Sequence, residues 1–289
     1  MKQTYGDVGF VAGVSRFFFA IPSKPLLLDP FGAASIDTPP TPLSTRMPDS
    51  KPIEILLEDP WFLVVSKPVD LLTQAIESLP SLQSQLIKQL SLPDTPKPFI
   101  GMPHRLDRMT SGTIVVARNQ RALRRLCDQF AVRTVIKEYL AWVSGQPPTQ
   151  GTWEDIMRKV PDEPRAELAT PDQEHAKPAS LDYQVLETRL DAQGHTQSLL
   201  LIRLGTGRMH QIRLQSASRG HPILGDRLYG SQSAWNILDH SDPSRFREPP
   251  LALHAYRLTF HHPKTAEKIS AIAPPPKNFP WGDYANQES

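Results

Sequence analysis

The chain has 289 residues, with 32 lysines and arginines against 30 aspartates and glutamates, and its only cysteine is Cys127. A net charge of +2 offers nucleic acid no global attraction, so such a partner would have to be held by a local basic patch. One cysteine excludes an intramolecular disulfide and a multi-thiolate zinc site and fits a reducing compartment, and the apolar runs fall far short of a membrane span.

Residues 1–50 read as a leader. An apolar stretch from Phe17 to Ile21 is followed by Pro39, Pro40 and Pro42, which break regular structure. A short tail docked on the main domain is expected. A secretory signal would need a longer apolar core and a small-residue cleavage site, and Asp7, Asp29 and Asp37 argue against a transit peptide. Residues 53–59 and 61–68 read as two short strands joined at Asp59-Pro60. Lys67, at the end of the second, is either a phosphate contact or a solvated strand-end lysine. In residues 80–90, Leu82, Leu86 and Leu90 recur on one helix face, and Pro93, Pro96 and Pro98 follow the helix.

The stretch His104-Arg105-Leu106-Asp107-Arg108-Met109-Thr110-Ser111-Gly112 then sets one carboxylate between two arginines and runs into the apolar strand 113–117. Flanking cations favour an ionised carboxylate, which makes Asp107 a candidate nucleophile, although a charged turn before a buried strand has the same pattern. His104 can be a base, a ligand or a hydrogen-bonded structural histidine. Asn119 can cap a helix with Leu123, Leu126 and Phe130 as its buried stripe. Arg118, Arg121, Arg124, Arg125 and Arg133 crowd this region, either to track a phosphate backbone, with Arg121 and Arg125 as candidates, or as a solvated face.

Residues 137–145 alternate as a half-buried strand should, with Trp142 facing the core. Residues 150–180 carry scattered charge and proline and are expected to be a surface excursion, with a hairpin around 153–160. Residues 198–204 read as a buried strand leading into Gly205-Thr206-Gly207-Arg208-Met209-His210-Gln211-Ile212-Arg213-Leu214, and later into Gly225-Asp226-Arg227-Leu228-Tyr229-Gly230. The Walker spacing and its lysine are absent from this glycine-containing turn. His210, His254, His261 and His262 match no familiar zinc spacing. Pro274, Pro275 and Pro276 and the polar end suggest a surface tail, bounded at 281–289.

The order His104-Arg105-Leu106-Asp107-Arg108, one further residue, then Thr110-Ser111-Gly112 and an apolar strand resembles the catalytic motif of the RluA-type pseudouridine synthases. Further stretches are similar to the family's pattern in the same order: the strand around Lys67-Pro68, the Lys137-Glu138-Tyr139 strand, the Arg208 to Leu214 turn and the Leu253-His254-Ala255 strand. The resemblance spans residues 53–273. The sequence departs from the family at 69–74, where a small residue, glycine and a histidine-proline pair are usual. The leader also lacks the basic helical pattern of the small RNA-binding module that some relatives carry.

The resemblance implies an α+β fold, a mixed, largely antiparallel sheet flanked by helices with a central RNA-binding cleft, over residues 51–280. It implies isomerisation of a uridine in ribosomal or transfer RNA by a cytoplasmic monomer without metal or cofactor. Asp107 would be the catalytic carboxylate, Tyr139 the ring against the base and Arg213 the arginine paired with Asp107. Arg105, Arg108, Arg208, His210 and Gln211 would meet the RNA. Two other classes remain: an RNA-binding protein or chaperone without turnover, and an acyltransferase or hydrolase using His104 with Asp107.

Overall fold

The structure, a computed structural model, describes residues 51–74, 79–230, 251–277 and 280–281. The leader 1–50 and residues 282–289 of the expected tail lie outside them. The strands are β1 (Glu54–Glu58), β2 (Phe62–Lys67), β3 (Ser111–Ala117), β4 (Ile136–Ser144), β5 (Gln150–Lys159), β6 (Ala166–Leu168), β7 (Lys177–Leu190), β8 (Thr196–Leu204), β9 (Leu253–His261) and β10 (Lys268–Ile272). The helices are α1 (Leu82–Leu90), α2 (Gln120–Ala131) and α3 (Gln211–Ser218).

All these strands belong to one sheet in the order β1-β2-β3-β9-β4-β8-β7-β5-β6, with β10 paired to β9. Its pairings are antiparallel except at β3 and β9, which run parallel over the short register Ser111 with His254 and Gly112 with Ala255. The late strand β9 thus enters between the early strand β3 and the middle strand β4. This is the mixed sheet expected from the resemblance.

β2 and β3 are apolar on both faces because helices cover both. Leu63, Val65, Ile114 and Val116 point to the Leu82 and Leu86 face of α1. Their alternates Phe62, Val64, Val115 and Ala117 meet Ala122 and Leu126 of α2. α1 starts at a capping box in which Ser81 and Ser84 satisfy each other's backbone N–H groups. α2 starts where Asn119 Oδ1 accepts from the Ala122 N–H at 2.8 Å, as the sequence predicts.

Residues 150–180 are not a surface excursion. β5 and β7 are full members of the sheet, paired from Gln150 with Gln184 to Met157 with Lys177, and the expected hairpin closes with β6. Their inward residues Trp153, Leu181 and Tyr183 join the core of this half. Alternation carries these strands, and their outer positions hold the charge and proline that read as surface. Trp281 is likewise core, 3% exposed and beside the His254 ring at 5.8 Å, so the packed chain extends to the start of the expected tail.

Candidate active site

The segment before β3 is a loop that passes directly over the sheet. Gly112 makes this possible: its φ is +114°, and a Cβ there would lie 2.2 Å from the Ala255 carbonyl oxygen. Ser111 Oγ donates to His254 Nδ1 at 2.8 Å, and His254 Nε2 donates to the Ala273 carbonyl at 2.9 Å. Burial holds His254 down at about 4, against the opposing pull of that carbonyl, so the ring is neutral at pH 7.

The front of the loop is tied to residues 67–73. Thr73 Oγ1 donates to the Leu106 carbonyl at 2.9 Å and accepts the Leu106 N–H at 3.1 Å. Lys67 Nζ donates to the carbonyls of Pro68 and Leu71, both at 2.8 Å, and of Arg108 at 3.1 Å. Lys67 has no exposed surface, so its expected role as a phosphate contact is corrected: it is an internal cross-brace. Burial pulls the ammonium down to about 7, while Asp107 and Asp70 oppose that. The three carbonyls accept every N–H that the ammonium has, which favours the charged form. Asp70, in the segment that departs from the family pattern, pairs with Arg108 at 2.6 Å. That segment is therefore a support for the loop.

Leu106 and Met109 are buried, and Asp107 between them keeps 29% of its side chain exposed, toward a cavity. Arg105, Arg208, Arg213, His210 and Tyr139 line the cavity with it, and Asp107 is the one carboxylate among the described lining residues. Burial first, and the Asp107 charge second, hold the Tyr139 phenol above its ordinary range, so the ring stays neutral. His210 Nε2 lies 3.9 Å from Asp107 Oδ2, and His210 Nδ1 lies 3.0 Å from Tyr229 Oη. Burial lowers His210 more than Asp107 raises it. Its backbone is left-handed, φ 51°, at the start of α3, a conformation uncommon outside glycine and concentrated at functional sites.

Arg213 does line the cavity, but the expected ion pair with Asp107 is replaced by another. Its Nε and Nη2 form a fork on Asp226, at 2.7 and 2.9 Å, and Asp226 has no exposed surface. Burial alone would lower the guanidinium. The hydrogen bonds and charge of Asp226, then the charge of Asp107, raise it above its ordinary value. Asp226 also accepts the N–H groups of Leu228 and Tyr229, both at 3.2 Å. It thereby anchors the turn that brings Tyr229 to His210. In the sequence Asp226 stands only as one residue of the stretch 225–230, and nothing there pairs it with Arg213.

Gln211 is corrected as well. It is 3% exposed, its Oε1 accepts from Thr206 Oγ1 at 2.7 Å and the Arg208 N–H at 3.0 Å, and its Nε2 donates to Ser180 O and Gln215 Oε1. It shapes the turn and has no donor left for RNA. Arg121 is exposed on α2. Arg125 donates to the Pro263 carbonyl at 2.6 Å, and neither of these two lines the cavity. His104 accepts the Val115 N–H on Nε2 at 3.1 Å and stacks on Phe130 at 4.4 Å, and burial holds it down at about 3. Of the three roles open to it in the sequence it takes the structural one, and it forms no dyad with Asp107. Among the described residues no cluster of histidine, cysteine, aspartate and glutamate is placed to hold a metal ion.

The model of the family described as RNA pseudouridylate synthase matches residues 61–218. The chain is similar to the "Dual-specificity RNA pseudouridine synthase RluA" of Escherichia coli (strain K12), 34% identical over 223 residues, 76% of this chain and 92% of that protein. It is 33% identical over 237 residues to the "Ribosomal large subunit pseudouridine synthase C" of Pasteurella multocida (strain Pm70), covering 81% of this chain and 68% of that one. Among solved structures, "Human RNA Pseudouridylate Synthase Domain Containing 1" matches with a TM-score of 0.63 and 28% identity, over 81% of this chain and 87% of that one. With more than half its length matched by the family model and about a third of its residues shared with these relatives, the chain belongs to the RluA-type RNA pseudouridine synthases, a family of isomerases.

Proposed function

We propose that the chain converts a uridine in ribosomal or transfer RNA to pseudouridine, with Asp107 as the catalytic carboxylate. The observation that carries this reading is the solitary Asp107 carboxylate, partly exposed in a cavity whose other charged side chains are arginines. The relative named for the ribosomal large subunit makes ribosomal RNA the first class to test and transfer RNA the second.

The reaction breaks the bond from ribose C1′ to uracil N1, turns the base and joins C1′ to C5. The C5 hydrogen leaves as a proton and N1 gains one, so no redox partner is required. Departure of the base develops positive charge on the sugar, as in glycoside cleavage, and a fixed carboxylate stabilises it. Addition of that carboxylate to C1′ and removal of a sugar proton both begin from the same side chain.

The target nucleotide must leave its stack, at a cost of a few kcal/mol. Stacking on the neutral Tyr139 ring, worth about 1–3 kcal/mol, offsets much of this. Arg105 and Arg208 at the cavity supply charge for the flanking backbone. Arg213, already committed to Asp226, contributes a fixed positive charge to the cavity wall.

Release of tritium from RNA labelled at uracil C5 tests the reading. Wild type should release it from an unmodified ribosomal or transfer RNA transcript, whereas Asp107→Asn should bind that transcript and release none. Turnover by Asp107→Asn at more than about a thousandth of the wild-type rate would remove Asp107 from the mechanism.

A further inference from the structure

The turn Thr206-Gly207-Arg208 separates the Asp107 cavity from a second cavity. Gly207 and Arg208 line the first, and Thr206 lines the second together with Arg133, Pro178 and Ser180. Three cations converge on this turn. Arg133 follows α2 in a left-handed conformation, φ 62°, and is exposed. Lys137 lies two residues before Tyr139 on β4, and strand alternation sets both on the same face. Its Nζ donates to the Thr206 carbonyl at 3.1 Å, which uses one of three N–H groups. Arg208 Nε donates to the Pro178 carbonyl at 2.9 Å, leaving the Nη groups of its fork.

None of the three has an ion-pair partner within 4.0 Å among the described residues. The carboxylates on the second cavity are Glu154 and Asp155, and Asp155 is taken by Arg219 at 2.8 Å and Gln215 at 2.7 Å. Burial lowers Lys137, and then Arg133 and Arg208 lower it further; burial lowers Arg208, and Arg133 adds to that. Cations that repel one another beside a cavity, with no ion pair within 4.0 Å among the described residues, are suited to an anion with several acceptor oxygens. Gly207 borders this group directly: a Cβ there would meet Lys137 Nζ in ordinary contact at 3.4 Å.

We propose that Arg133, Lys137 and Arg208 form a subsite for a backbone phosphate of the RNA strand flanking the target uridine, which crosses Gly207 from one cavity to the other. The proposal rests on the isomerase reading and adds Arg133 and Lys137 to it. Lys137 would then link the phosphate to the adjacent Tyr139, so that backbone and base are engaged from a single strand.

The test is RNA affinity as a function of salt, measured in the Asp107→Asn background with unmodified ribosomal and transfer RNA transcripts. Arg133→Asn keeps a residue that accepts the left-handed conformation, and Arg133→Asn with Lys137→Gln and Arg208→Gln removes the whole cluster. For a single-stranded segment, each lost phosphate contact should flatten the slope of log affinity against log salt by up to about 0.7. Lys268→Gln on the edge strand β10 is the charge-matched control and should leave the slope unchanged. With Asp107 restored, Arg133→Asn should raise KM several-fold and leave kcat within about twofold.

Wild-type slope in both subsite variants, with melting temperatures unchanged, overturns the subsite while tritium release by the wild type leaves the isomerase reading standing. A slope lost equally in Lys268→Gln also overturns it, because the effect would then be one of net charge. Tritium release from no transcript, with the slope still dependent on Arg133, refutes the isomerase reading and keeps the phosphate site. Absence of binding to any transcript overturns both.

Discussion

Replacing Asp226 by asparagine probes the arrangement behind the cavity. The carboxylate accepts two guanidinium hydrogen bonds and two backbone ones with no exposed surface. An amide oxygen can keep part of this set, but the amide nitrogen only donates and opposes an arginine that also only donates. Arg213, with 7% of its side chain exposed, would retain a buried charge without its partner. Breaking such a pair costs about 3–5 kcal/mol. At about 2–4 °C per kcal/mol for a domain of this size, that lowers Tm by roughly 6–20 °C. The freed guanidinium would face Asp107, the one carboxylate among the described residues lining the cavity, so tritium release should fall too. Pairing Asp226→Leu with Arg213→Met removes both charges, and such replacements are often neutral or stabilising. The double variant should therefore recover most of the lost Tm without recovering turnover. A single variant melting within about 2 °C of wild type, or a double variant no more stable than Asp226→Asn, would refute the pairing.

Gly112→Ala should be far more disruptive than its single added carbon suggests, because the methyl would overlap the Ala255 carbonyl and φ is +114°. A loss of more than about 3 kcal/mol is expected in chemical denaturation, and a loss under about 1 kcal/mol would mean that the β3–β9 junction opens easily. Acid should weaken the fold through His254. Its folded pKa, about 4, lies below the unfolded value near 6.5, so protons bind the unfolded chain preferentially as pH falls through that window. Stability should decline from pH 6.5 toward 4, by roughly 2 kcal/mol at pH 5 from this ring alone. His254→Gln should be less stable at pH 7.5 yet decline less between pH 6.5 and 5; an equal decline would show that His254 does not titrate in this way.

Much of the half containing β1 to β3 is legible because its signals are local. Leucine spacing marks α1, the Asn119 cap marks α2, and an unbroken apolar run marks a strand covered on both faces. Asp107 and Tyr139 are legible as partners through the motif resemblance, and the cavity contains both. The errors arise where a residue's meaning depends on distant backbone. Lys67 reads as a phosphate contact or a solvated lysine because the Arg108 carbonyl that accepts from it is 41 residues away. Arg213 and Asp226 are visible as charges, but which acid meets which arginine is decided by the turn geometry of 225–229. β5 and β7 hide their alternation behind charge and proline at exposed positions, although Trp153, Leu181 and Tyr183 supply the inward set.

The position of β9 has a consequence for the order in which the protein is made. Ser111 and His254 are 143 residues apart, and β9 occupies the middle of the sheet although only β10 follows it among the described strands. Before it emerges, β2 and β3 can pair with each other and β4 can pair with β8, since those pairings need no later chain. The two blocks have no direct pairing, and the entropy of closing so long a segment must be met before their junction is rewarded. The loop bearing Asp107 therefore gains its floor only when residues 253–261 insert, and its His254 anchor only when Ala273 follows. The cavity around Asp107 is therefore incomplete until residues 253–273 have been translated, and a truncation before β9 should leave the β1–β3 and β4–β8 blocks without the strand that joins them.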